Sequence, residues 1–307
     1  MKYQILIAVI ILFALQAKAQ DIIPLWPQGK MPNTKGLAIK DSIVNERAIQ
    51  IVNPYMYAFF PSKDDNNGAA IIIFPGGGYH HVTYNLSGFQ LAKWFNTMGI
   101  SAFVVNYRLP TSPDLVHREL APLQDAQRAI KLVRANAVKW HINPAKIGVQ
   151  GASAGGHLAA MVGNFTEDIA MVNDGLDSIS AHPNFMILVS PVVSMGIDAH
   201  KGSKSNLLGD KPSQQLIDKY SMELQVTNAT PPCFIADAFN DKTVPPINSL
   251  LLYKALLEKN ISTSFHVFPQ GGHSIGVNNN PGSTEQWKTL CEAWLKEMGF
   301  VTTIVSK

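Results

Sequence analysis

Six short, continuous apolar runs recur along the chain, at residues 68–74 (GAAIIIF), 101–107 (SAFVVNY), 145–150 (AKIGVQ), 184–190 (NFMILVS), 233–238 (CFIADA) and 263–268 (TSFHVF). Runs of this length, bounded by turn residues and apolar at successive positions, are expected of strands covered on both faces. Helical spacing fills the gaps, at about 88–98, 121–139, 154–163, 246–259 and 283–297. In the second of these, Ala126, Ile130, Val133 and Ala137 recur at three- and four-residue steps while Arg128, Lys131, Arg134 and Lys139 face elsewhere. Strand and helix in strict alternation predict one doubly wound, mostly parallel sheet with helices on both faces. The longest connection, 191–232, carries a helical patch near 213–224, which is too short for a separate lid domain.

Residues 1–19 read as an address. Met1-Lys2 supplies a positive start, residues 5–15 (ILIAVIILFAL) an apolar run, and Ala17-Lys18-Ala19 a small-x-small cleavage site. The run falls short of the ~20 residues that span a bilayer. The expectation is therefore a signal peptide over 1–19, with residues 20–307 forming a single catalytic domain, exported to the periplasm or beyond and left without a stable membrane anchor. The formal charge of +3 drops to +1 once Lys2 and Lys18 are removed. Charged residues make up only 15% of the chain and form no basic run, so a nucleic-acid partner has no electrostatic footprint. Cys233 and Cys291 lie far apart, and such a pair is more often two buried single cysteines than a bridge.

Three places carry chemistry. Gly151-Ala152-Ser153-Ala154-Gly155 follows the strand at 145–150 and precedes an Ala-rich helical stretch, the context in which G-x-S-x-G forms a nucleophile elbow. Ser153 is the predicted nucleophile, and the helix behind it points its free N–H groups and positive end at the same place. His157, one turn on, reads as a packed or hydrogen-bonded core histidine. Pro75-Gly76-Gly77-Gly78-Tyr79 ends the strand at 68–74. The amides of Gly77 and Gly78, with that of Ala154, form the predicted oxyanion hole. No Lys-Ser/Thr follows and G-x-G-x-x-G spacing is lacking, so nucleotide binding fits poorly. Tyr79, His80 and His81 border the pocket or sit on plain loop surface. His273, freed by Gly271-Gly272 after the strand at 263–268, is the predicted base. Asp241, after the strand at 233–238, is the predicted orienting acid; Asp237 is its main rival and Asp198 a distant one. The nine histidines include no H-E-x-x-H or Cys-His cluster, so no metal site is expected.

From about Leu25 to Gly299 the chain resembles the α/β-hydrolase superfamily, specifically its secreted acetyl xylan esterases and acetylesterase-like carboxylesterases. The resemblance is carried by Leu25-Trp26-Pro27, by the segment from Pro75 to Tyr79, by Asn106-Tyr107-Arg108-Leu109-Pro110, and by the run from Ala121 to Ile130 (APLQDAQRAI). It continues through the segment from Gly151 to Leu158, Thr230-Pro231-Pro232, Asp241 with Val244-Pro245, and Gly272-His273. It implies hydrolysis of small acyl esters, often acetyl groups on plant polysaccharide or oligosaccharide, with no metal or organic cofactor. Many relatives carry a His where this chain has Phe234 to Asp237, and an Asp at Asn240. Arg108, Asp125 and Arg128 read as a structural charge network. Feruloyl esterase, serine peptidase or acyltransferase with the same triad, and a catalytically silent carbohydrate-binding relative are the alternatives.

Overall fold

The computed structural model describes residues 21–273 and 275–302. The expected signal peptide at 1–19 lies outside the described residues. Strands β1 (Asp21–Pro24), β2 (Ser42–Val44), β3 (Arg47–Gln50) and β4 (Tyr55–Phe59) come first, followed by β5 (Ala70–Phe74), β6 (Ser101–Asn106), β7 (Ile147–Ala152), β8 (Met186–Val189), β9 (Cys233–Ala238) and β10 (Thr263–Phe268). Helices α1 (Gln90–Thr97), α2 (Ala121–Ala135), α3 (Ala154–Asn164), α4 (Lys201–Leu208), α5 (Gln214–Lys219), α6 (Ile247–Glu258) and α7 (Trp287–Glu297) are interleaved with them. The main sheet runs β1-β4-β6-β5-β7-β8-β9-β10. From β6 to β10 every pairing is parallel, while β4 and β1 are added antiparallel at one edge.

All six apolar runs became the parallel strands of this sheet. Side chains alternate across it, so in β5 Ala70, Ile72 and Phe74 join the core formed with α2 and α3, while Ile71 and Ile73 meet α1 and α7 on the opposite face. Each of these isoleucines is fully buried and contributes roughly 2–3 kcal/mol of hydrophobic stabilisation. Both faces being covered is why no polar alternation marks these strands in the sequence.

Several elements differ from expectation. The strands β1 to β4 went unpredicted: they span three to five residues each, and β1 and β2 have mostly exposed side chains with little apolar signal. Helix α2 stops at Ala135 rather than 139, because the Asn136 side-chain amide donates to the Leu132 carbonyl at 2.9 Å and closes the last turn. The long 191–232 connection holds one helix more than expected, α4, ahead of α5 and a short turn at Met222–Leu224.

The charge network expected beneath the site is present and binds the N-terminal segment to α2. Asp125, fully buried, accepts from Arg108 Nε and Nη2, from the Arg108 backbone amide and from Trp26 Nε1 at 2.7 Å. Arg128 donates to Asp174 at 2.6 and 3.0 Å and to the Leu25 carbonyl, its guanidinium 5.2 Å from the Trp26 ring centroid. That pairing holds the Asp174 carboxyl down at about 2. Cys233 on β9 and Cys291 on α7 are both buried and unbonded, and burial pushes both thiols up.

Candidate active site

The elbow is built where β7 passes directly into α3. Ser153 sits between them at φ 55° and ψ −125°, a strained conformation for a residue with a side chain. It is locked by its amide donating to the Val189 carbonyl at 3.1 Å and its carbonyl accepting from the amides of Val192 and His157. The helix must start tight against β5, and a Cβ at Gly155 would run into the Phe74 carbonyl oxygen. That close approach explains the second glycine of the motif.

The glycine loop after β5 is held from several sides. Tyr107 Oη donates to the Pro75 carbonyl at 2.8 Å, and Asn206 Nδ2 on α4 donates to the Gly78 carbonyl at 2.8 Å. The amides of His80 and His81 both donate to the Gly77 carbonyl, and that of Thr83 to Gly76. Gly77 adopts φ +138°, and a Cβ there would strike the His81 carbonyl. With the loop's carbonyls engaged in this way, the amides of Gly77 and Gly78 have no acceptor among the described residues, and neither has the amide of Ala154, the first of α3. The sequence expectation made these same three amides the oxyanion donors.

Asp241 and His273 reach Ser153 from loops after β9 and β10, at the carboxyl edge of the sheet. His273 Nε2 lies 2.8 Å from Ser153 Oγ and its Nδ1 lies 2.6 Å from Asp241 Oδ2. The other Asp241 oxygen accepts from the amides of Thr243 and Val244, which aims the carboxylate at the imidazole. A hydroxyl, an imidazole and an oriented carboxylate in this chain can take a proton from the hydroxyl and return it to a leaving group. Asn240 Oδ1 accepts from the Gly272 amide at 2.8 Å and steadies the histidine loop. Asp237, the rival acid, ends up elsewhere: it is buried at the end of β9, accepting from Ser249 Oγ at 2.6 Å and from the Ala238 amide. Burial raises its carboxyl to about 6.

The site opens into a cavity of about 600 Å³ lined by Ser153, Gly76 to Gly78, His80, His81 and His273, among others. His80 therefore borders the pocket, but Tyr79, expected beside it, does not. Tyr79 is at φ 59°, turned into the core and fully buried, with Oη 2.8 Å from His157 Nδ1. His157 Nε2 lies 2.7 Å from the Tyr220 carbonyl, so Nε2 carries the proton and Nδ1 accepts from the tyrosine. Burial holds this imidazole down to about 4, hence neutral. The pair is a strut between glycine loop and elbow helix, and the pocket loses a wall residue because the bulky ring is worth more inside the core.

Sequence reasoning missed the contribution of α4. His200 caps that helix, its Nδ1 accepting from the Ser203 amide at 3.2 Å, and it lines the cavity together with Gly202 and Asn206. Burial, and next the neighbouring His273, hold its imidazole below the usual value. A short polar helix (KGSKSNLL) carries no apolar period, so nothing in the sequence singled it out. Gln150 and Trp287 also line the cavity and were missed, since one lies inside a run read as a strand and the other inside a stretch read as a helix. Among the described residues no group of three His, Cys, Asp or Glu is placed to hold a metal ion.

Comparison with known proteins agrees with this architecture. A family model described as BD-FAE matches residues 56–256. An acetylxylan esterase of Xylanibacter ruminicola is 34% identical over 216 residues, 69% of this chain and 42% of that protein. Endo-1,4-beta-xylanase B of Butyrivibrio fibrisolvens is 36% identical over 187 residues, 61% of this chain and 29% of its own length. The matched segment thus spans less than half of either of these relatives. The crystal structure of an acetyl ester-xyloside bifunctional hydrolase from Caldicellulosiruptor lactoaceticus superposes with a TM-score of 0.78 at 35% identity, covering 92% of this chain and 98% of that one. With its elbow at the end of a central parallel strand and its match over some two thirds of the chain, this protein is an α/β-hydrolase and belongs to the BD-FAE family.

Proposed function

We propose that the protein is a serine carboxylesterase that removes small acyl groups, chiefly acetyl, from plant polysaccharide or oligosaccharide. The observation that carries this reading is the continuous chain Asp241–His273–Ser153, at 2.6 and 2.8 Å, beside a cavity lined by Gly77 and Gly78, whose amides, like that of Ala154, have no acceptor among the described residues. The similarity to an acetylxylan esterase and to an acetyl ester-xyloside hydrolase supports the choice of substrate.

In the proposed mechanism His273 Nε2 accepts the Ser153 proton as Oγ attacks the ester carbonyl. Asp241 holds the imidazole in the required tautomer and balances its charge, and the amides of Gly77, Gly78 and Ala154 receive the developing oxyanion. Each such donor is worth ~3–4 kcal/mol of transition-state stabilisation. Protonated His273 then delivers its proton to the departing sugar oxygen, leaving an acyl group on Ser153. A water, deprotonated by the same imidazole, attacks the acyl-enzyme and releases the acid.

The test is acetate release from acetylated xylan compared with acetylated pectin, acetylated mannan and free sugar acetates. Xylan as the preferred polymer is the expected result; release of acetate from none of them overturns the reading. The size of the cavity, about 600 Å³, favours a second reading in which larger acyl groups such as feruloyl are also accepted, checked with methyl ferulate. Export of the chain with loss of residues 1–19 belongs to the proposal and is checked by N-terminal sequencing of protein recovered outside the cytoplasm.

A further inference from the structure

The cap of α4 is an unusual one. His200 opens that helix, its Nδ1 accepting from the Ser203 amide at 3.2 Å with Ser203 Oγ 2.8 Å away. Serine, threonine, aspartate and asparagine fill such a position with a shorter side chain, so capping alone does not account for an imidazole. What the ring adds is a second nitrogen. With Nδ1 committed to the helix as an acceptor, the proton of the neutral ring is on Nε2. His200 is half-buried, and Nε2 has no partner among the described residues yet is not closed off from solvent. The residue lines the same cavity as Ser153.

The ring stands close to the groups assigned to the reaction. A Cβ built on Gly78 would lie 3.8 Å from His200 Cε1, so the imidazole edge is beside the glycine loop, and Asn206 ties α4 to that loop through the Gly78 carbonyl. Burial, and next the nearby His273, hold the His200 imidazole below its usual value, which keeps it neutral. His200 thus neighbours both a proposed oxyanion donor and the proposed general base.

The cavity has two unlike halves, and His200 belongs to the polar one. Leu91, Val189 and Trp287 are buried on the sheet face that packs α1 and α7, with Ile275 and Val277 against the same core. Leu207 and Leu208 anchor α4 in the core of the opposite face, which brings His200 and Asn206 to the cavity from the other side. An acetylated sugar is divided in the same way, into a small apolar acyl group and a ring whose oxygens need hydrogen-bond partners. The sugar oxygen that leaves must come within reach of His273, so the hydroxyl on the next ring carbon is presented where His200 neighbours His273.

We propose that His200 is a specificity-determining residue on the sugar side of the site, its Nε2 donating to a hydroxyl oxygen adjacent to the ester. The preferred substrates are then monoesters of vicinal diols, the class to which monoacetylated sugar rings belong. This rests on the esterase reading above and deepens it. Because water can replace a half-buried donor, the discrimination is that of one ordinary hydrogen bond.

The experiment compares kcat/KM for trans-2-hydroxycyclohexyl acetate and cyclohexyl acetate, which share the acyl group and differ by one hydroxyl beside the ester. Rates are referred to hydroxide-catalysed hydrolysis, with p-nitrophenyl acetate as reference substrate. The wild-type protein is expected to favour the hydroxy ester by about tenfold, and His200→Asn to remove most of that preference. Asparagine keeps the cap through its side-chain oxygen while its amide falls short of the place of Nε2, so this variant is expected to melt near the wild-type temperature. His200→Ala is expected to lose the preference and to melt lower, since it loses the cap as well. A histidine that served only as a cap would leave the preference intact in His200→Asn, and that result overturns the assignment. So does an equal loss on both cyclohexyl esters, or turnover of p-nitrophenyl acetate by the wild type without a preference for the hydroxy ester. Wild-type protein that turns over no ester overturns the esterase reading and this assignment with it.

Discussion

Ser153 and the glycine loop are braced by two fully buried tyrosine hydroxyls, whereas the loop that carries His273 is tied by hydrogen bonds that are exposed or only partly buried. On the serine side, the Tyr107 hydroxyl holds the Pro75 carbonyl and the Tyr79 hydroxyl holds His157, with both tyrosines fully buried. Burial pushes both phenols above their usual range, which keeps each a neutral hydrogen-bond donor at neutral pH. On the histidine side, Asn240 accepts from the Gly272 amide in an exposed hydrogen bond, and Thr284 Oγ1 and Trp287 Nε1, from residues that are themselves fully buried, donate to the Gln270 and Gly276 carbonyls in partly buried ones. Under the proposed mechanism, the contrast matches where precision is required. An oxyanion hole must be rigid before charge develops, since reorganisation during the reaction would cancel its benefit. An imidazole that exchanges protons needs only a correct tautomer and a short reach, which one buried carboxylate provides.

The most severe way to sharpen this comparison is Ser153→Ala, which removes the only group both halves converge on. Turnover of p-nitrophenyl acetate is expected to fall by roughly 10⁴ to 10⁶ with the melting temperature unchanged, because the elbow backbone is kept. Undiminished hydrolysis would falsify the assignment.

Next in size is the pair of carboxylates. Asp241→Asn should lower kcat by about 10³ to 10⁴, since the amide stabilises the wrong imidazole tautomer, while Asp237→Asn should cost less than about tenfold. The two variants also separate in their pH dependence. Asp237 has a folded value of about 6, raised by burial, so its protonated form is favoured by folding. The stability it contributes is full below the ordinary carboxyl value of about 3.8 and is lost as pH rises through about 6. Asp237→Asn should therefore gain in melting temperature relative to wild type between pH 5 and 8; equal shifts across that range would show that Asp237 carries no such penalty.

Gly77→Ala tests the rigid half directly. Its Cβ has nowhere to go against the His81 carbonyl, so the loop must shift and misplace its amides. A loss of about 10² to 10³ in kcat is expected, with KM little changed. Wild-type kcat in this variant would show that these amides are not the oxyanion donors.

The smallest effect belongs to Tyr79→Phe. Removing the hydroxyl leaves His157 Nδ1 buried without a donor, at a cost of about 1–3 kcal/mol of stability measured by urea unfolding. Turnover should drop by less than about tenfold, through loosening of the glycine loop. A larger loss of activity than of stability would move Tyr79 from strut to reacting group.

Much of this site is legible in the chain. The elbow reads directly because Gly-Ala-Ser-Ala-Gly is a local solution to a local problem, a strand that must turn at once into a helix. The triple glycine reads for the same reason, and the order of Ser153, Asp241 and His273 follows from three strands presenting loops at one edge. Asp241 was separable from Asp237 by its place three residues beyond β9, where a loop can reach an imidazole that a strand end cannot. The orientation of Tyr79 was not legible, because a residue beside a glycine loop can point inward or outward and only the cavity between β5, α3 and Tyr220 shows that inward is filled. His200 and Asn206 were hidden for another reason: their helix has no apolar stripe, and its position over the glycine loop depends on how a 42-residue connection folds back.

Local sequence thus specified the strands, the turn types and the residues with chemical capacity, because backbone conformation and apolar periodicity act over a few residues at a time. Which of those residues face one another was settled by packing. The sheet order, the inward turn of Tyr79, the cover formed by α4 and the place of His200 in the cavity wall depend on contacts between segments far apart in the chain, and burial and hydrogen-bond satisfaction can be judged only once those segments meet.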